Sequence, residues 1–152
     1  MKGARMLFLA SWVLLLLVSA LTAFVSLDSL RIAYFGHNDD LSRTVTLEQI
    51  RNIGGDDAVT NYKGRRATAA TWALGYALLT GLITFFSYRR GERWAWWALF
   101  ISITLTQLLS LGRVFTLGTT FGTGTAGAVL AFYLLGLVAG VPRIFFNRDP
   151  LL

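Results

Sequence analysis

The chain has 152 residues, enough for one domain, and 55% of them are hydrophobic. Its mean hydropathy is +0.57, its formal net charge is +6 and its pI is about 10.3. Much of the positive excess flanks long uncharged runs, so membrane orientation and anionic lipid account for it better than nucleic acid does. There is no cysteine, which excludes disulfide exchange, thiol catalysis and cysteine metal sites. A single histidine, His37, excludes a bis-histidine haem or a histidine-rich metal site within one chain. No cofactor is expected.

Lys2 and Arg5 precede an apolar run over 6–27. Val18-Ser19-Ala20 resembles a cleavage site, but the run is longer than the ~7–15 residues of a signal-peptide core, so it reads as a first membrane span. The polar segment 28–66 follows, with six acidic and six basic residues. Inside it Thr46 and Gln49 form a capping box, Val45 and Ile50 are placed as a hydrophobic staple, and Leu47, Ile50 and Ile53 share a helical face. Gly54-Gly55 is a stop signal. These features predict a short amphipathic helix within an outer loop.

The run 67–88 is charge-free and close to the ~20 residues needed to cross a bilayer. Ala73, Ala77 and Gly81 recur every four residues, the small-residue spacing that lets membrane helices approach closely. Next comes Tyr88-Arg89-Arg90-Gly91-Glu92-Arg93-Trp94-Ala95-Trp96-Trp97. Arginines at a helix C-terminus, a glycine able to turn left-handed and a carboxylate at the next helix start predict a tight hairpin. Arg89, Arg90, Arg93, Trp94, Trp96 and Trp97 are expected to anchor it at a cytoplasmic membrane interface. This R-R-G-E-R-W-A-W-W hairpin resembles one in small, uncharacterised bacterial proteins with four transmembrane helices. The resemblance implies a bacterial four-span protein and brings with it no catalytic residue.

The third span is expected over 94–112. Ser102, Thr106 and Ser110 lie on one stripe, with Gln107 adjacent and Arg113 just beyond. This is the most polar membrane face, suited to a helix–helix seam or to the polar head of a hydrophobic ligand. The stretch 114–142 is charge-free, and its Gly and Thr residues near 118–125 mark a turn before a fourth span over 123–141. Gly136 and Gly140 form a close-packing G-x-x-x-G pair, and Pro142 ends the helix. With both termini inside, lysines and arginines divide equally between the two sides, but the inner ones are concentrated in short flanks, which carry more weight.

The expected architecture is an all-α four-helix transmembrane bundle, up-down-up-down, with both termini cytoplasmic in a bacterial inner membrane. The proposed spans contain no charged residue, which argues against an ion pathway. The acidic clusters at His37-Asn38-Asp39-Asp40 and Asp56-Asp57 lack a full calcium-loop spacing. No catalytic or metal-binding constellation is present. The pattern points to a non-catalytic accessory or scaffold subunit whose partners are membrane lipids and other membrane chains or itself. The alternative is a binder or carrier of a lipid, quinone or other hydrophobic small molecule within the bundle.

Overall fold

A computed structural model describes residues 2–36, 46–118 and 123–146. These residues fold into helices without a strand among them: α1 (Lys2–Phe35), α2 (Leu47–Phe86), α3 (Arg93–Leu117) and α4 (Thr123–Val141). A 3₁₀ turn, Tyr88–Arg90, joins α2 to α3, and a π-helical turn, Pro142–Phe146, follows α4. All four helices are long and apolar enough to cross a membrane. At about 1.5 Å per residue, α1 is about 50 Å long, well beyond a ~30 Å hydrocarbon core.

The helices exceed the limits read from charge alone. α1 continues past residue 27 because Asp28 and Arg31 pair one turn apart at 3.2 Å on an exposed surface, which a helix tolerates. The capping box forms: the Gln49 N–H donates to Thr46 Oγ1 at 3.2 Å and the Thr46 N–H to Gln49 Oε1 at 3.0 Å. Val45, the expected staple partner, lies outside the described residues. At Gly55 the backbone leaves helical geometry, with φ 70° and ψ −170°, so the expected stop is present as a kink. Beyond it the chain turns helical again and runs into the second span. Asp56 and Asp57 stand at the renewed start, where the helix dipole favours carboxylates. No proline occurs before Pro142 to prevent the continuation.

The chain forms two compact units. The first comprises Met1–Ser19 and Leu79–Leu152, and the second Ala20–Leu78. In the first, Phe8, Leu15, Tyr88, Leu99, Ile103, Tyr133 and Leu137 are buried. Their spacings of four and seven residues within a helix are those of a helix seam. Gly136 and Gly140 face inward on this seam. A Cβ at Gly136 would lie 2.9 Å from the end of the Leu15 side chain, and one at Gly140 would collide with the Tyr88 hydroxyl and Ser11 Oγ.

In the second unit the buried positions are mostly small: Ser26, Ala33, Ala67, Ala70 and Ala77. Small residues let the two helices approach, and polar groups then bind them. Arg66 Nε donates to Ser29 Oγ at 3.2 Å, and Lys63 Nζ reaches the Gly36 carbonyl at 3.5 Å, where a cation suits the end of α1. Leu47 and Val59 close this unit with Ile32 and Ile50.

The two inward glycines differ in what they face, which gives a test. Gly136→Ala pushes on the Cδ2 and Cγ atoms of the buried Leu15 side chain and is expected to cost about 1 kcal/mol. Gly140→Ala must displace two hydroxyls and is expected to cost about 1–3 kcal/mol. Thermal unfolding of both variants in detergent measures the difference.

Candidate functional site

Two groups of side chains in the first unit have the geometry of a site. The first is a buried hydroxyl network between helices. Ser11 Oγ lies 2.6 Å from the Gly136 carbonyl and 2.5 Å from the Tyr88 hydroxyl. A carbonyl can only accept, so the Ser11 hydrogen goes to Gly136 and Tyr88 donates to Ser11. Two helical turns along α1, Ser19 donates to its own Leu15 carbonyl at 2.9 Å and stands 2.7 Å from the Tyr133 hydroxyl. Thr80 Oγ1 lies 3.2 Å from Ser19 Oγ and 3.3 Å from the Tyr133 hydroxyl. These two levels tie α1 to the end of α2 and to α4. Trp96 Nε1 donates to the Leu137 carbonyl at 3.0 Å and so joins α3 to α4.

The second group lies at the hairpin. Gly91 takes the left-handed conformation, φ 80° and ψ 23°, and its N–H bonds the Tyr88 carbonyl at 2.8 Å. Arg89, Arg90 and Arg93 are exposed, as are Trp94 and Trp97. The Trp94 indole N–H bonds the Glu92 carboxylate. Trp96 is buried, because it shares the inward face of α3 with Leu99 and Ile103. Arg93 donates at 3.4 Å to both the Ile144 and Phe145 carbonyls, holding the turn after α4 against the start of α3. That turn begins where Pro142 has no N–H to return to the carbonyl of Val138.

The remaining predicted positions fall as follows. Ser102, Gln107, Ser110 and Arg113 are half-buried and Thr106 is exposed. The hydroxyls of Ser102 and Thr106 donate to their own helix, to the Leu99 carbonyl at 3.4 Å and the Ser102 carbonyl at 2.7 Å. Ala77 is buried, Ala73 is half-buried, and Gly81 approaches Ser19, where a Cβ would make an ordinary 3.6 Å contact. His37, Asp39 and Asp40 lie outside the described residues. The Asp56 carboxylate is exposed and paired with Arg51 at 2.8 Å.

Sequence reasoning missed Ser11, Ser19, Thr80 and Tyr133, and at the hairpin end Arg5, Phe8, Trp12 and Arg143. The available signal was phase. Ser11 and Ser19 fall in step with Phe8 and Leu15, so that stripe of the Leu-rich first span faces protein rather than lipid.

The network predicts coupled energetics. Tyr88→Phe and Ser11→Ala are each expected to cost about 1 kcal/mol, and the double variant less than their sum, because both remove the same bond. Unfolding of the four proteins in one detergent measures the coupling.

Comparison with known protein families, with curated proteins and with solved structures finds no match to this chain.

Proposed function

We propose that the chain is a small non-catalytic integral membrane protein that acts as an accessory or scaffold subunit, associating with other membrane chains or with itself. In this reading its four spans run up-down-up-down, with both termini and the arginine hairpin on the cytoplasmic side of a bacterial inner membrane. The meeting of Arg5, Arg89 and Arg143 at one recess supports that arrangement, since it brings together the start of α1, the α2–α3 turn and the end of α4. The cluster of arginines there supports the orientation.

α3 carries the subunit reading, through the stretch beyond Ile103. Only 11% of its most apolar stretch is buried, the lowest share of the four helices. Beyond Ile103 none of its described side chains is buried, yet the stripe that continues from Leu99 and Ile103 there presents exposed Thr106 and half-buried Gln107 and Ser110, with Ser102 just before it. Gln107 lies about 21 Å along the helix from Arg93, within the ~30 Å hydrocarbon core. A primary amide left against lipid there costs about 2 kcal/mol or more. A neighbouring helix removes that cost by supplying a hydrogen-bond partner and excluding lipid, and the small hydroxyl residues allow it to approach. The Ser102 and Thr106 hydrogens are already given to helix carbonyls, so this stripe favours a packed seam over a ligand's polar head.

Replacing Thr106 and Gln107 together by leucine is expected to abolish co-purifying chains, or the oligomer, while leaving thermal unfolding of the single chain unchanged. Chemical cross-linking in native membranes, read by mass spectrometry, measures it. Wild-type protein that remains a single chain in its own membrane would overturn the reading.

A further inference from the structure

Four arginines converge at one end of the first unit. Arg5 comes from the first turns of α1, Arg89 and Arg90 from the 3₁₀ turn, and Arg143 from the turn after α4. With Phe8, Leu9 and Trp12 they line a recess of about 310 Å³. That volume is at the low end for ligand sites, suited to a headgroup and not to a whole lipid.

Among the described residues no carboxylate lines this recess. The ion pairs among the described residues, Arg31–Asp28 and Arg51–Asp56, both belong to the second unit. Glu92, the acidic residue nearest the turn in sequence, is bonded to the Trp94 indole. Aromatic faces hold two of the guanidinium groups in place. Arg89 lies 4.4 Å from the Phe85 ring centre and 5.9 Å from that of Trp12, and Arg143 lies 5.1 Å from that of Phe8. An aromatic face positions a guanidinium without cancelling its charge or occupying its N–H donors as a carboxylate does. Four like charges held together this way repel one another until an anion enters, and planar guanidinium forks match phosphate oxygens.

The wall below the arginines is apolar and open. Leu9 is 46% exposed, and Val13 and Leu17, successive turns along the same side of α1, are 41% and 62% exposed. A free inorganic anion has no use for such a track, whereas an acyl chain does. We propose that the recess binds the headgroup of an anionic phospholipid carrying two phosphates, with an acyl chain along Leu9, Val13 and Leu17. Two phosphates match four guanidinium groups better than the single charge of a phosphodiester, and basic pockets between membrane helices take such headgroups. The assignment is independent of the subunit reading, which concerns the stretch of α3 beyond Ile103.

The test uses the whole chain in phosphatidylcholine nanodiscs doped with cardiolipin or with phosphatidylglycerol, followed by native mass spectrometry after gentle release. One cardiolipin retained per chain, at least tenfold preferred over phosphatidylglycerol, is expected. Changing Arg5, Arg89, Arg90 and Arg143 together to Gln is expected to lower retention at least tenfold. The same change at Arg31, Arg51, Arg65 and Arg66 removes equal charge and is expected to leave retention intact. Equal loss in both variants, or no preference over phosphatidylcholine, would overturn the proposal. Displacement of cardiolipin by millimolar inorganic pyrophosphate would also overturn it, by revealing a free-anion site. A measurement on unaltered protein guards against a variant that fails to fold: cardiolipin with a photoreactive acyl chain is expected to label residues 5–17 preferentially. Labelling spread evenly over the four helices would count against it.

Discussion

Hydrocarbon offers no hydrogen bonds, and the core of the first unit is built around that constraint. A serine in an apolar helix must find an acceptor in protein, and Ser11 finds the Gly136 carbonyl. That carbonyl is reachable because residue 136 has no side chain and because Gly140, one turn on, leaves room for the Tyr88 ring. Tyr88 then completes Ser11 from the end of the second span and stacks on Phe8 at 5.7 Å between ring centres. Inter-helix hydrogen bonds in a membrane contribute only about 0.6–1.7 kcal/mol each. Their larger effect is registration: Ser11 cannot slide along α4 without losing its acceptor.

The same end of the molecule holds the hairpin, and packing links the two. Tyr88 is both the buried ring of the network and the first residue of the 3₁₀ turn. Arg89 and Arg90 are therefore presented outward by a turn whose position is set from inside. Arg93 and Trp96 fix the other half: one holds the turn after α4 through two carbonyls, the other holds α4 itself. The arginine recess thus has walls positioned by buried contacts rather than by exposed side chains alone, and such preorganisation reduces the entropy lost when an anion binds.

Four helices long and apolar enough to cross a membrane were legible in the sequence, because charge-free runs of bilayer length are rare elsewhere. Gly91 and the Thr46–Gln49 cap were legible because both depend on neighbours a few residues away. The extents of α1 and α2 were less so. Asp28, Arg31, Asp56 and Asp57 read as loop residues, yet each sits comfortably on an exposed helix surface when no proline intervenes. The Gly136–Gly140 spacing announced close packing but not its partner, because Ser11 and Tyr88 lie 125 and 48 positions from Gly136. The burial of Trp96 follows a similar logic: tryptophan composition suggests a depth in the membrane, while its phase with Leu99 and Ile103 decides that it packs against protein. The arginine recess escaped because its residues come from three distant stretches, each ordinary by itself.

The separation between Ser11 and its acceptor sets an order of events during synthesis. At about 5–20 residues per second, Ser11 is made some 6–25 seconds before Gly136 exists. Ser19 needs no help in that interval, since its hydroxyl already bonds the Leu15 carbonyl of its own helix. Ser11 must use a local carbonyl of the same kind, or water at the interface, and exchange it when α4 arrives. The first span is thus stable enough to wait but incomplete, and the last span supplies the group that commits it.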